Sequence, residues 1–512
     1  MYDNLLENKK ILLLPAVMSF IIALLLLYKY SYPISWDVYY HMHMIDLYMK
    51  NGLVFWDYST VAPKGRLIMY PPLFHMIFAA ISSFTKINYI ALCLYAQPIF
   101  SFILIYLITF TAYKLFDNTF TGLMAGFLSM LSFVTFNRSV ICTPATIAIA
   151  LSLIVCLYYY EGLNENNLRK ILYSSIALAI IVNLHMATSI ITIGVLGLYT
   201  FIQLIRRKQI NIKYILVFLA LFIIIAMPWW IYIACNYTLV FNSIAGSNMR
   251  ITEFLAKYYG ILPTLFTIIG YYALYKKRDE KSIFLCIWTL SILILSQVYL
   301  IGIQTVSIRI LEVAAYPLIL VAAIGFTYLY EKINKNNLKR IFVVVIILLS
   351  VFSSIAYVDS YTPDLMVESD INTTVLPDEY HLLFDPVGST LKVSIISDRY
   401  GSAPLAYDRY DMAEYIKKLN DTGIIVSEDA IMDTIIVSNS NSSVVYGGFT
   451  ESIPEYVVDP VHIVENHSTT NELKSLNIHY LLLKKNTPIP IYAKLEYENS
   501  NYKICKITDE YR

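Results

Sequence analysis

Apolar residues in this chain come in runs of about twenty, separated by short polar joints, until the pattern changes after Val358. Eleven runs predict membrane-spanning helices at 11–29, 90–113, 119–136, 147–161, 171–185, 187–205, 213–233, 259–275, 283–300, 310–329 and 341–357. At a rise of about 1.5 Å per residue, roughly twenty residues cross a hydrocarbon core about 30 Å thick. One more apolar stretch, 71–85, follows a Tyr70-Pro71-Pro72 corner. It belongs to a polar and aromatic interval, 31–89, placed directly after the first run. The first run lacks a small-residue cleavage site, so it is expected to stay as a signal anchor.

Beyond Val358 the periods shorten. Short apolar or alternating runs predict strands at 392–397, 423–429, 434–438, 443–448 and 479–485, and 412–420 reads as an amphipathic helix. The expected fold is an α-helical polytopic membrane protein with a small C-terminal α/β domain. Residues 1–358 form the membrane domain with its large first loop, and residues 359–512 form an extracytoplasmic domain.

Composition agrees. Of 512 residues, 57% are hydrophobic and 15% charged, against about 45–50% and about 25% in soluble globular proteins. The 44 tyrosines suit rings seated at membrane–water boundaries. A net charge of +1 offers no basic face for nucleic acid. The six cysteines are scattered without CxxC spacing and read as free thiols.

Charge also sets the expected topology, because Lys and Arg concentrate in cytoplasmic loops. If 71–85 lies on the outer leaflet without crossing, one side collects Lys9, Lys10, Lys114, Arg169, Lys170, Arg206–Lys208, Lys276–Arg278, Lys281, Lys332, Lys335, Lys339 and Arg340. If 71–85 crosses, the later basic loops face outward while the N-terminus stays inside. The first arrangement predicts a cytoplasmic N-terminus. It places 31–89, 137–146, 236–258, Arg309 and the C-terminal region outside. Asn-x-Ser/Thr sites at Asn137, Asn236, Asn372, Asn420, Asn441 and Asn466 all fall on that outer side.

Polar chemistry gathers there as well. Asp37, just past the first run, is a candidate general base. His41 lies four residues on, so the two share a helical face, and His41 would tune Asp37 or join it on a metal. Capping of the following helix is the competing role for Asp37. Asp46 and Asp57 read as weaker candidates, Lys64 and Arg66 as anion-binding or solvated cations, and His75 as structural. Arg138 lies in a short outer loop and His185 at an outer helix junction. Arg309, at the outer edge of an apolar helix, either snorkels to headgroups or holds an anionic ligand, with Glu312 one turn away as a partner. A transporter would place charges and broken helices near the midplane, and mid-span charges are almost absent.

The stretch Asp37-Val38-Tyr39-Tyr40-His41, then Asn51-Gly52, Pro63-x-Gly65-Arg66 and Tyr70-Pro71-Pro72-Leu73-Phe74-His75, resembles the first outer loop of GT-C superfamily membrane glycosyltransferases. It is most similar to archaeal oligosaccharyltransferase catalytic subunits. The resemblance continues through Gly122–Gly126 to Asn137-Arg138-Ser139 and returns from Arg309 to Pro317. It implies a helix bundle, a polyprenyl-phosphate-linked sugar donor, and an acceptor that is a glycan, a lipid or a protein. It also implies that Asp37 serves acceptor or metal, and that Arg309 and Arg138 contact the donor phosphate.

The chain departs from that pattern in two places. Thr143-Pro144-Ala145-Thr146 stands where oligosaccharyltransferases carry an acidic pair, and the acceptor-reading Trp-Trp-Asp-Tyr-Gly motif has no match. A divalent metal, Mg or Mn, would then rest on Asp37 and His41 alone. The expected activity is transfer of a sugar from a polyprenyl-phosphate donor on the outer face, with Asp37 as base, Arg309 and Arg138 on phosphate, and His41, His185, Arg66 and Asp57 in support. A divergent oligosaccharyltransferase acting on protein Asn, and a non-catalytic membrane protein or transporter, are the alternatives.

Overall fold

A computed structural model describes residues 9–206, 210–238, 248–359, 407–419, 423–447, 460–464, 470–508 and 510. The predicted strand at 392–397 and the Asn372, Asn420 and Asn466 sites lie outside them.

All eleven apolar runs are helical. Helix α1 covers Lys9–Lys29. Two short helices follow, α2 (Asp37–Asn51) and α3 (Leu73–Thr85), separated by a two-stranded hairpin of β1 (Trp56–Asp57) and β2 (Arg66–Leu67). Then come α4 (Tyr89–Phe116), α5 (Thr119–Leu131), α6 (Phe133–Ser139), α7 (Pro144–Asn164), α8 (Leu168–Leu184), α9 (Met186–Ile205) and α10 (Ile212–Asn236). The membrane part closes with α11 (Ile261–Lys277), α12 (Glu280–Ser296), α13 (Ser307–Lys332) and α14 (Asn336–Asp359).

Seven of these helices are long and apolar enough to cross a membrane, and an eighth crossing arises if α5 and α6, bent by 87°, count as one span. Helices α8, α11 and α12 have 17 residues each, about 25 Å of rise, so length alone does not make them crossings. Helix α3 has 13 residues, about 20 Å, too short to span. It buries Phe74, His75 and Phe78 and exposes Met76, Ile77, Ile81 and Phe84.

Small residues let the helices approach where lipid offers no hydrophobic drive. At Gly325 on α13 a Cβ would stand 1.9 Å from the Phe266 carbonyl of α11, and at Gly270 one would stand 2.0 Å from the Val321 carbonyl. Only glycine at both positions permits this packing.

The C-terminal region contains α15 (Tyr407–Leu419), β3 (Ile424–Ser427), α16 (Ala430–Asn439), β4 (Ser443–Val444), β5 (Ile478–Lys484), β6 (Ala493–Glu498) and β7 (Tyr502–Ile507). Its sheet runs β4-β3-β5-β7-β6, with β3 parallel to both neighbours and the β5–β7–β6 side antiparallel. Residues 434–438, expected as a strand, lie inside α16 instead. A short β-branched run does not by itself distinguish a strand from a buried helix. Asp429 decides the matter locally, because its carboxylate accepts the Ile431 N–H and starts the helix.

This region packs on the 31–89 interval. Ala62 N donates to Val444 O at 2.9 Å and Val444 N to Ser59 O at 2.8 Å, so the loop extends the edge of the sheet. Tyr89 Oη donates to Ser438 O at 2.7 Å and Tyr32 Oη to Glu414 at 3.0 Å. Asn137 corrects the expectation for its sequon. It is buried within α6 and inaccessible to glycosylation, whereas Asn236 and Asn441 are exposed.

Candidate functional site

Helix α2 opens the site. Trp36 is its N-cap and gives no side-chain cap, so Asp37 occupies the first turn, where a negative charge suits the helix dipole. The Asp37 carboxylate is therefore free of capping and reaches Arg309, whose Nη2 donates to it at 3.2 Å. His41 sits one turn on along the same face.

The bend at Ser132 produces the second component. It turns α6 away from α5 and buries Arg138. A buried guanidinium needs a carboxylate, and Glu312 from α13 supplies it. Arg138 donates through Nε to one Glu312 oxygen and through Nη2, at 2.9 Å, to the other. Arg309, one turn before Glu312, places Nη1 at 3.7 Å from the same carboxylate. Two arginines thus share Glu312, and the outer one also holds Asp37.

These groups line one cavity of about 200 Å³ with Tyr40, His41, Tyr70, Thr143 and His185. His185 is the N-cap of α9; its Nδ1 accepts the Thr188 N–H at 3.3 Å and lies 2.8 Å from the Thr188 hydroxyl. His41 Nδ1 is 2.9 Å from His75 Nε2, so the two buried rings fix each other's orientation. Burial pushes both imidazoles down, His41 well below its usual value and His75 to about 3, leaving both neutral.

Asp57 and Arg66 lie outside this cavity and form a network behind its wall. Asp57 Oδ2 stands 3.0 Å from His43 Nε2 and accepts from the Thr60 hydroxyl at 2.6 Å, while Oδ1 accepts the Ser59 N–H at 2.9 Å. Arg66 Nε donates to Thr60 Oγ1 at 2.9 Å, and its guanidinium lies 5.3 Å from the centre of the Tyr40 ring that lines the cavity. Burial alone would raise the Asp57 pKa, but His43, Arg66 and Thr60 together hold it well below the usual carboxylate range. Gly65 closes the hairpin at φ +71°, where a Cβ would stand 2.5 Å from the Asp57 carbonyl.

The other candidates sit elsewhere. Asp46 pairs with Lys50 at 2.6 Å, and the Lys64 carbonyl accepts from Trp56 Nε1 at 3.0 Å. Glu312 is the cavity residue that the sequence presents only as a neighbour of Arg309. A lone carboxylate inside an apolar helix is its signal.

A divalent metal finds a poor ligand set here. Asp37 and Glu312 are both held by arginines, and His41 Nδ1 is engaged by His75. Among the described residues no three His, Cys, Asp or Glu side chains stand together as a metal-ligand group. The residues present do not fit the group.

No family model and no curated protein matches the chain at the level of sequence. Solved structures do match. The oligosaccharyltransferase of Archaeoglobus fulgidus in its apo form aligns with a TM-score of 0.63 at 10% identity, covering 93% of this chain and 69% of its own. ArnT from Cupriavidus metallidurans, bound to undecaprenyl phosphate, aligns with a TM-score of 0.59 at 10% identity over 97% of both chains. The arabinofuranosyltransferase AftD from Mycobacteria aligns with a TM-score of 0.58 at 12% identity, covering 98% of this chain and 40% of its own.

The chain has the GT-C fold. At these identities the likeness speaks for the fold alone. Within the GT-C frame, Asp37 on α2 and Arg309 on α13 are 272 residues apart in sequence and meet in one cavity.

Proposed function

We propose that this protein is an integral-membrane glycosyltransferase that moves a sugar from a polyprenyl-phosphate-linked donor to an acceptor on the outer face of the membrane. The observation that carries this reading is the meeting of Asp37 and Arg309 at the mouth of a cavity backed by the Arg138–Glu312 pair. The structures of ArnT with undecaprenyl phosphate and of the archaeal enzyme AglB with dolichol-phosphate support a lipid-phosphate donor.

The two ion pairs suit different tasks. Arg138–Glu312 is almost sealed, with side-chain exposures of 3% and 4%, and a buried bidentate pair is costly to open. Arg309–Asp37 is far more open, at 43% and 20%, so an incoming phosphate exchanges for the carboxylate at small cost. Donor binding then does two things at once. It puts the phosphate on Arg309 and frees Asp37.

The acceptor hydroxyl attacks the anomeric carbon, forming the new C–O bond as the bond from that carbon to the phosphate oxygen breaks. The leaving electron pair stays on the phosphate, stabilised by Arg309 with Arg138 behind it. The acceptor proton passes to Asp37. His41, neutral at the wall, and His185 orient hydroxyl groups. Asp57 and Arg66 hold the hairpin that supports Tyr40. No step passes through a metal.

A peptide acceptor is the second reading, supported by the structure of the Archaeoglobus fulgidus oligosaccharyltransferase tethered to an acceptor peptide.

The test uses membranes from cells expressing the protein, supplied with radiolabelled polyprenyl-phosphate sugars and extracted membrane glycolipids or peptides. Label moving to an acceptor in wild type but not in Asp37→Asn supports the reading. Equal transfer in both removes Asp37 from the mechanism.

A further inference from the structure

A second cavity, of about 360 Å³, lies at the opposite end of the bundle. Helix α13 defines the separation. Arg309 is near its first residue and Glu331, on the cavity rim, near its last, about 33 Å away along one helix. The cavity therefore opens at the membrane boundary farther from the Asp37 site.

Its walls have two characters. Phe116, Ala273, Leu274 and Ile324 make an apolar floor, and Lys276, Lys277 and Lys281 bring three ammonium groups from the ends of α11 and α12. Lys276 is held in place, 4.6 Å from the Tyr272 ring centre and 3.4 Å from the Tyr328 hydroxyl. Lys277 leans on Asp279 at 3.6 Å. The Asp279 carboxylate is committed to the start of α12, accepting the Ser282 N–H at 2.8 Å and its hydroxyl at 2.6 Å. Among the described residues neither Lys276 nor Lys281 pairs with a carboxylate. Glu331 is the remaining carboxylate at the rim.

A preference of Lys and Arg for one side of the membrane explains basic loops, but not a recess in which cations from two helices converge over an apolar floor. A phosphate with a hydrocarbon tail satisfies both characters: the phosphate meets Lys276 and Lys281, and the tail lies on Phe116 and Ile324. We infer that this cavity binds a phosphate headgroup, that of an anionic membrane lipid or a soluble phosphate, at a site separate from the Asp37 cavity.

The protein is purified in a mild detergent and offered dioleoylphosphatidylglycerol, dioleoylphosphatidylcholine or inorganic phosphate, with bound molecules counted by native mass spectrometry. Phosphatidylglycerol retention by the wild type and by the Lys213→Gln/Lys335→Gln control is expected. Lys276→Gln/Lys281→Gln should retain less, by about fivefold for each lysine removed. Displacement by inorganic phosphate at matched concentration assigns the site to a soluble phosphate, and resistance to it assigns a lipid. Equal retention by the cavity variant, or equal retention of phosphatidylcholine, overturns the inference. If the variant fails to fold, acetic anhydride labelling of the unmutated protein decides instead. Phosphatidylglycerol should slow acetylation of Lys276 and Lys281, and unchanged acetylation overturns the inference.

Discussion

Arg309 Nη2 lies 3.2 Å from the Asp37 carboxylate, joining the first turn of α2 to the first turn of α13 at the mouth of the cavity. The pair is open to solvent, so its energy is small; in the proposed mechanism its value lies in placing a carboxylate beside a cation that a donor phosphate reaches. Asp37→Asn keeps the shape and a hydrogen bond to Arg309 but removes the proposed base. Transfer by membranes carrying this variant should fall by about 100-fold or more, with unchanged expression and melting temperature. Arg309→Lys keeps charge but loses the planar fork, so the donor KM should rise more than it does for Asp37→Asn.

The Arg138–Glu312 pair makes the opposite prediction. Glu312→Gln leaves a buried guanidinium half-satisfied, a class of change that costs about 3–5 kcal/mol. Its melting temperature should drop well below that of wild type in the same detergent. Arg138→Met/Glu312→Leu removes both charges and should recover most of that loss. On the proposed mechanism it should not recover sugar transfer, because the second cation assigned to the phosphate is gone. Recovery of transfer would exclude Arg138 from the site.

Acid should loosen the 31–89 interval. The His75 folded pKa, lowered to about 3 by burial, sits below the unfolded value of about 6.5. Between those values the unfolded chain binds the extra proton, so stability is complete above about 6.5 and declines as the pH falls toward 3. His41, also lowered, acts in the same direction. Asp57, with its folded pKa depressed, adds stability above the usual carboxylate value and loses it only at more acidic pH. Melting temperatures should therefore fall from pH 7 to pH 4, and His75→Phe should flatten that slope. An unchanged slope would show that the buried imidazoles do not set it.

The hydrogen bond from Val444 N to Ser59 O ties the hairpin region to the edge of the C-terminal sheet. Val444→Pro deletes this donor at an edge strand, where proline is otherwise tolerated. Limited trypsin digestion should then cut faster after Lys64 or Arg66 than in wild type. Cleavage at the wild-type rate would mean that the hairpin holds its place without the sheet.

The helices of the membrane part are legible in the residues because lipid leaves no alternative. A run of about twenty apolar residues must satisfy its own backbone hydrogen bonds, and a helix does so locally. The shared face of Asp37 and His41 is legible for the same reason, as a consequence of helical spacing. Residues 434–438 look like a strand because a buried apolar run carries little period, although Asp429 just before them is a readable cap. The partners within the site are not legible. Arg138 and Glu312 are 174 residues apart, and Asp37 and Arg309 are 272 apart. Nothing in local sequence says which buried cation meets which buried carboxylate. That choice follows from the 87° bend between α5 and α6 and from the close glycine packing of α13 on α11, both products of how the bundle packs. The sequence determined that helices form and that charges gather at their ends. Tertiary packing decided that Arg138 is sealed against Glu312 while Arg309 remains open beside Asp37, because only packing sets how much water each pair retains.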